Sequence, residues 1–343
     1  MSTVIQACLK QLQQGEVLSQ TQAQQAFEVI MQGQASDAQI GGFLMALSIF
    51  GETSDVLTGA AKAMRAASSQ VFPNQQALLD TCGTGGDGAS TFNVSTTVAL
   101  VVAACGQPVA KHGNRAISSR SGSADVLQAS GVNLDLTPQQ VAQCIDDIGI
   151  GFLFAQNHHP AMRHAIGTRK ELGVRTIFNL LGPLTNPANA DYQVLGVYSK
   201  DKLMMVAQTL LDLGIKRALV VHGRDGMDEI TTTTITDAVM VEQGQPLRAF
   251  EIDPHAFGMP YGQTKDLAGG GPKENLAIMH AILAGEPGAG RDIVLLNTAA
   301  ALWVCGKADG ISQGLSQAAK AIDDHHAIHL LRSLITKTQQ ANQ

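Results

Sequence analysis

DTCGTGGDGAST, Asp80–Thr91, is the stretch on which the fold turns. Gly83, Gly85 and Gly88 spell the G-x-G-x-x-G of dinucleotide-binding folds. Gly83 and Gly88, followed by Ala89-Ser90, spell the frame of a nucleotide-triphosphate loop with alanine in the place of its lysine. ALLD runs into these glycines as a strand, and STTVALVVAACG leaves them as a helix stopped by Gly106. A strand that passes through a glycine turn into a helix is the unit of an α/β fold.

Outward from this unit the alternation continues. QPVA reads as a short strand, SADVLQASG as a helix stopped by Gly131, and TPQQVAQCIDDIG as a helix with Thr137 as N-cap, Pro138 at its first position and Gly149 after its end. IGFLFA, YQVLGVYS and RALVVHG read as strands, with KDKLMMVAQTLLDLG as a helix between the last two. This order predicts a mainly parallel sheet, to which TDAVMVEQGQPLRAFEI adds a hairpin. Three helices are expected to close the chain. Before Phe72-Pro73 no strand-like alternation occurs; Ser36 with Gln39 makes a capping-box pattern and Thr53-Ser54 caps the next helix. The fold expected is therefore α/β, with a small all-helical domain over residues 1–70 and a larger α/β domain over 71–343.

The chain has 343 residues, long enough for two substructures, and its formal charge of −6 argues against a general nucleic-acid or membrane-surface binder. Five scattered cysteines without a C-x-x-C pair read as reduced thiols in a cytoplasmic protein. The opening MSTVIQACLKQLQQGEVLS lacks the pattern of a signal peptide.

Neither nucleotide motif survives inspection. The region about twenty residues past the loop has no carboxylate before Asp125, where a ribose-binding acid would stand. Ala89 cannot supply an ammonium. The physics common to both motifs remains: convergent N–H groups and a helix N-terminus, here opening at Asn93–Thr96, favour an anion. The next loop, KHGNRAISSRSGSAD, gathers Lys111, His112, Arg115 and Arg120, the densest basic cluster in the chain. Two such loops suit a ligand with more than one phosphate. Asp225, Asp228 and Glu229 follow the strand RALVV, a common arrangement for Mg2+ shared with phosphate oxygens.

With these loops in view the sequence closely resembles the anthranilate phosphoribosyltransferases. GTGGDG, TFNVST, VAKHGNRAISSRSGSADVL, HHPAMRHAIGTRKELGVRTIFNLLGPLTNPA and GMDEI carry the resemblance, with AQIGGFLMAL and DIVLLNTAAAL at the two ends. It extends over essentially the whole chain. The resemblance implies the helical-plus-α/β fold of the nucleoside phosphorylase and class II phosphoribosyltransferase type, with helices from about 158–188 joined to the helical domain. It implies a homodimer, no nucleic-acid or membrane partner, and transfer of phosphoribose from phosphoribosyl pyrophosphate to anthranilate in tryptophan biosynthesis. It assigns Gly83, Gly86, Asp87, Thr91, Asn93, Val94, Ser95 and Thr96 to phosphoribosyl pyrophosphate. The following loop, Lys111, His112, Gly113, Asn114, Arg115, Ala116, Ile117, Ser118, Ser119 and Ser123, is assigned to the same substrate. It assigns Gly83, Asn114 and Arg169 to anthranilate, Ser95 with Glu229 to one Mg2+, and Asp228 with Glu229 to a second. No enzyme nucleophile is implied; Lys111 and the metal would stabilise the departing pyrophosphate.

Other reactive-looking residues read blandly. Cys82 has no activating histidine near it in sequence, and His325, His326 and His329 with Asp323 and Asp324 read as a solvated helix face. Trp303 reads as core, while His158-His159 either line the aromatic-acid pocket or order a helix start. A nucleoside phosphorylase would dispense with the acidic pair and Arg169. A nucleic-acid-binding relative would carry a basic groove.

Overall fold

A computed structural model describes residues 2–116 and 120–341. Ile117, Ser118 and Ser119 of the expected substrate loop lie outside the described residues. Four helices come first: α1 (Thr3–Gln13), α2 (Gln20–Met31), α3 (Asp37–Phe50) and α4 (Ser54–Ala66). Ser2, Ser19, Ser36 and Thr53 cap them by accepting an N–H from the first turn, and Ser36 with Gln39 forms the full capping box.

The alternating part begins with β1 (Leu79–Gly83), α5 (Val94–Ala104), β2 (Val109–Gly113), α6 (Ser123–Ala129), α7 (Pro138–Ile148) and β3 (Ile150–Phe154). Three short helices then interrupt it: α8 (Ala155–His158), α9 (Arg163–Leu172) and α10 (Phe178–Leu181). It resumes through β4 (Tyr192–Gly196), α11 (Leu203–Asp212), β5 (Arg217–Gly223) and the hairpin β6 (Thr236–Glu242) and β7 (Arg248–Ile252). Four helices close the chain where three were expected: α12 (Pro272–Leu283), α13 (Ala289–Val304), α14 (Ile311–Asp323) and α15 (His326–Gln340). The strand expected to end at Ala110 continues to Gly113, because Lys111, His112 and Gly113 stay in register with Phe152, Leu153 and Phe154 of β3.

The sheet runs β3-β2-β1-β4-β5-β6-β7, parallel through β5 and antiparallel in the predicted hairpin. Period-two alternation sends its two faces into different cores. Leu219 and Val221 of β5 join the core built on α5 and the closing helices, while Ala218 and Val220 join the core of α11 and the N-terminal helices. Ala165, Ile177, Phe178, Leu180, Leu181 and Leu184 enter this second core too, so the interrupting segment packs with the N-terminal helices.

The chain moves from β1 outward to β2 and β3, then returns to lay β4 on the other side of β1. Strand order reverses there, and in open α/β sheets a crevice opens at the carboxyl ends of the strands flanking such a reversal. Gly83 and Gly196 end β1 and β4 side by side. Asp228, from the turn after β5, lies across both. A Cβ on Gly196 would stand 1.6 Å from the Asp228 backbone oxygen, and one on Gly83 2.2 Å from Asp228 Oδ2.

This close approach makes a test. Gly196→Ala should lower stability by more than about 3 kcal/mol, since backbone must move to admit the methyl. Gly167→Ala, whose Cβ would meet open space within α9, should be neutral or stabilising. Urea unfolding midpoints compare them, and an unchanged midpoint for Gly196→Ala contradicts the crossing.

Candidate active site

The loop after β1 is tied down at its start. Thr84 N–H donates to the Gly196 carbonyl (2.9 Å), Tyr198 N–H to Thr84 Oγ1 (3.0 Å) and Gly85 N–H to Asp228 Oδ2 (2.6 Å). Gly85, Gly86 and Gly88 then take φ of 66°, 71° and 77°, a region that glycine enters without a Cβ penalty. The N–H groups of Gly86, Asp87 and Gly88 have no acceptor among the described residues. Successive unspent N–H groups in such a turn form a concavity for an anion. Asp87 turns its carboxylate back, accepting from Ala89 N–H (3.1 Å) and Asp228 N–H (3.4 Å). Thr91 leaves the loop by pairing with Ala268.

Helix α5 starts at the rim of this loop. Asn93 stands at its N-cap without capping through its side chain. The amide instead donates to the Ser121 carbonyl (3.1 Å) and accepts from Asn275 Nδ2 (2.9 Å). Val94 is buried and its N–H goes to the Phe92 carbonyl at 2.7 Å. Ser95 N–H reaches Glu229, and Ser95 O accepts from Thr81 Oγ1 at 2.9 Å. Thr96 Oγ1 is buried and without a partner among the described residues.

Three carboxylates meet here. Burial and the neighbouring Asp87 push Asp228 up to about 7. Burial and Asp228 raise Glu229 as well, with Lys111 and the Ser95 N–H acting against them. Like charges held this close cannot all ionise without a cation. Among the described residues no three His, Cys, Asp or Glu side chains are arranged to hold a metal. The adjacent acids suit Mg2+, which keeps waters and takes much of its oxygen shell from substrate phosphates. Asp225 points elsewhere: it accepts from Thr231 Oγ1 (2.6 Å), from Thr233 Oγ1 and from Met227 N–H (3.2 Å). It folds the threonine run and so aims the two acids that follow it.

The basic cluster of the sequence is dispersed in the structure. Lys111 lies in β2, 3% exposed, its ammonium donating to the Thr81 and His112 carbonyls beneath the loop. Asp80 below it accepts from His112 N–H (3.1 Å) and Asn186 Nδ2 (2.8 Å). His112 is buried as a neutral ring against His159, their centroids 5.2 Å apart. Arg115 is committed to Asp125 (3.0 Å) and Gln128 (2.8 Å), and Arg120 is exposed. Gly113 admits Ser123, whose Oγ accepts from Asn114 N–H (3.1 Å), while Ala116 N–H donates to Asp125 (2.9 Å). Asn114 Oδ1 accepts from Arg115 N–H at 2.8 Å. A charge run in sequence is thus split between a buried strand and a capped helix start.

Arg169 is different. Its half-buried guanidinium lies 5.0 Å from the Phe178 ring centroid and has no carboxylate partner among the described residues, while burial lowers its pKa. His158 Nδ1 meets the Ser69 carbonyl at 2.9 Å and Ser69 N–H donates to the His158 carbonyl at 2.8 Å, which fixes the chain at the start of this segment. Burial brings His159 down to about 4. The His158 ring thus ties this segment to the end of the helical part, while the His159 ring packs against His112. Cys82 is buried, its thiol pushed up by that burial and by Asp80. Asp323 pairs with Arg291, and the histidines near it are exposed. Trp303 is half-buried at the core margin between Phe250 and Arg217, not within the core.

Two residues escaped the sequence reading. Arg175 donates to the Gly86 carbonyl, and Asn275 reaches Asn93 across the mouth of α5. Both lie far along the chain from their partners, and Arg175 stands in a stretch that carries only the resemblance.

Residues 6–68 match the model described as glycosyl transferase family, helical bundle domain, and residues 75–328 that described as glycosyl transferase family, a/b domain. The anthranilate phosphoribosyltransferase of Acetivibrio thermocellus is 49% identical over 335 residues, 98% of this chain and 97% of that one. The crystal structure of the Thermus thermophilus anthranilate phosphoribosyltransferase superposes with a TM-score of 0.92 at 43% identity, covering 97% of this chain and 99% of that one. The Saccharomyces cerevisiae enzyme in complex with PRPP (phosphoribosyl pyrophosphate) and Mg gives 0.91 at 28% identity, with 99% of each chain covered. The chain belongs to the anthranilate phosphoribosyltransferase family.

Proposed function

We propose that this chain transfers the phosphoribosyl group of phosphoribosyl pyrophosphate to the amine of anthranilate, giving N-(5-phosphoribosyl)anthranilate and pyrophosphate in tryptophan biosynthesis. The observation that carries the reading is the pairing of unspent loop N–H groups with a crowded acidic cluster at the β1–β4 reversal. A polyphosphate with its cation satisfies both; a lone phosphate does not.

In this reading the C1–O bond to pyrophosphate breaks as the amine nitrogen bonds to C1, and the amine gives up one proton. The N–H groups of Gly86, Asp87 and Gly88 and the mouth of α5 receive the phosphates. Thr96, in the first turn of the same helix, has a buried hydroxyl without a partner among the described residues. Bound Mg2+ supplies charge neutralisation for the leaving group. Ser95 with Glu229 would hold one ion and Asp228 with Glu229 a second. Lys111 adds positive potential beneath the loop from its place on the Thr81 carbonyl. Arg169, stacked on Phe178 and without a carboxylate partner among the described residues, suits a carboxylate because its planar fork can bind both oxygens. Asn114 and the bare backbone of Gly83 complete the acceptor side, so orientation replaces a nucleophile. We place the enzyme in the cytoplasm, as its free cysteines suit.

The assignment is tested by anthranilate fluorescence. It should decay only when protein, phosphoribosyl pyrophosphate and Mg2+ are all present. Arg169→Ala should raise the anthranilate KM on the order of 30-fold, as loss of a charge-assisted bidentate contact implies, with the phosphoribosyl pyrophosphate KM nearly unchanged. A flat trace from folded protein rejects the assignment, and phosphate with nucleosides would then be tried.

We also propose a homodimer through the helical part. Ile49 and Phe50 at the end of α3 are 70% and 49% exposed, an apolar pair that a partner would cover. Light scattering should give the mass of two chains; a single-chain mass across micromolar concentrations refutes the pairing.

A further inference from the structure

The connection between α9 and α10 holds an arginine that the proposed chemistry leaves without a role. Arg175 is exposed, yet its guanidinium donates to the Gly86 carbonyl and lies 4.5 Å from the Tyr198 ring centroid. Tyr198 N–H in turn donates to Thr84 Oγ1 at 3.0 Å. Arginine and tyrosine therefore grip the glycine-rich loop at two points, Thr84 and Gly86. Among the described residues no carboxylate pairs with Arg175. Its described partners are a carbonyl and a ring, and an ordinary surface arginine would not need either.

The geometry of a peptide gives this contact a consequence. In a trans peptide the C=O and the following N–H point in opposite directions. Drawing the Gly86 carbonyl toward Arg175 therefore aims the Asp87 N–H away from it. That N–H is one of those with no acceptor among the described residues. The φ of 71° at Gly86 leaves this peptide few steric constraints of its own, so an outside contact decides its orientation. A planar guanidinium can stack on a ring and donate to a carbonyl together, which an ammonium does poorly.

We infer that Arg175, stacked on Tyr198, is a positioning residue: it fixes the Gly86–Asp87 peptide so that its N–H faces the pyrophosphate, without itself touching substrate. The inference rests on the proposal that this loop holds phosphoribosyl pyrophosphate.

Calorimetric titration of phosphoribosyl pyrophosphate in Mg2+ buffer tests it, with steady-state kinetics alongside. Arg175→Ala should weaken binding about tenfold, the effect of one loop hydrogen bond misaligned, and raise the phosphoribosyl pyrophosphate KM while kcat and the anthranilate KM change little. Tyr198→Phe should keep wild-type affinity, since the ring remains. Tyr198→Leu should lose several-fold, and the double variant Tyr198→Leu/Arg175→Ala should be no weaker than Arg175→Ala alone, because the two act as one unit. Thermal midpoints confirm that each variant is folded. Wild-type affinity in Arg175→Ala overturns the inference. So does a loss in Arg175→Ala with none in Tyr198→Leu, the pattern of a side chain that contacts substrate directly. If the wild type itself fails to bind, the reading beneath falls and takes the grip with it.

Discussion

Everything at the site depends on one crossing: the backbone and carboxylate of Asp228 lie over the paired ends of β1 and β4, where Gly83 and Gly196 have no side chains to obstruct them. The crossing settles three things together. It ties the Gly-rich loop to the sheet through the Gly85 N–H. It brings Glu229 to the first turn of α5, where the Ser95 N–H meets it. It also buries Asp228 beside Asp87, and burial first, then that neighbour, push its carboxyl up to about 7. A parallel sheet leaves an open crevice at its strand reversal; here that crevice is floored with acid.

Acid beside an anion site is a contradiction unless cations enter with the ligand. The protein itself offers few. Lys111 acts on Glu229, and it is spent on the Thr81 and His112 carbonyls and on neighbouring Asp80. Arg115 belongs to the start of α6, through Asp125, and Arg175 to the Gly86 carbonyl and the Tyr198 ring. An acidic cleft that binds a polyanion needs metal to do so, and the donor set, two adjacent carboxylates with a serine nearby, is one that hard divalent ions accept. Arg169 on α9 stacks on Phe178 and has no carboxylate partner among the described residues.

Local rules carried the sequence far. Caps at Ser36, Thr53 and Thr137, stops at Gly106, Gly131 and Gly149, and the β6–β7 hairpin all lie where short-range chemistry put them. What failed was what depends on distant partners. Lys111 and His112 looked like loop because charge and polarity argue against a buried strand; carbonyls of β1 and the ring of His159 satisfy them there. Arg115 pairs with Asp125, ten positions further on, a partner that nothing local in the sequence marks. Arg175 and Asn275 could not be paired with Gly86 and Asn93 from sequence alone, since nothing local marks such partners. Trp303 misled in the other direction: an apolar helix suggested a core ring, yet Arg217 draws it to the margin.

The most direct test of an acid-floored polyphosphate site is the dependence of phosphoribosyl pyrophosphate affinity on Mg2+, measured by calorimetry at a pH above the Asp228 titration. Tight binding is expected with Mg2+ and at least tenfold weaker binding in chelator, with the difference lost in Asp228→Asn/Glu229→Gln. Equal affinity with and without the ion would contradict it: the carboxylates would then have no part in holding the ligand.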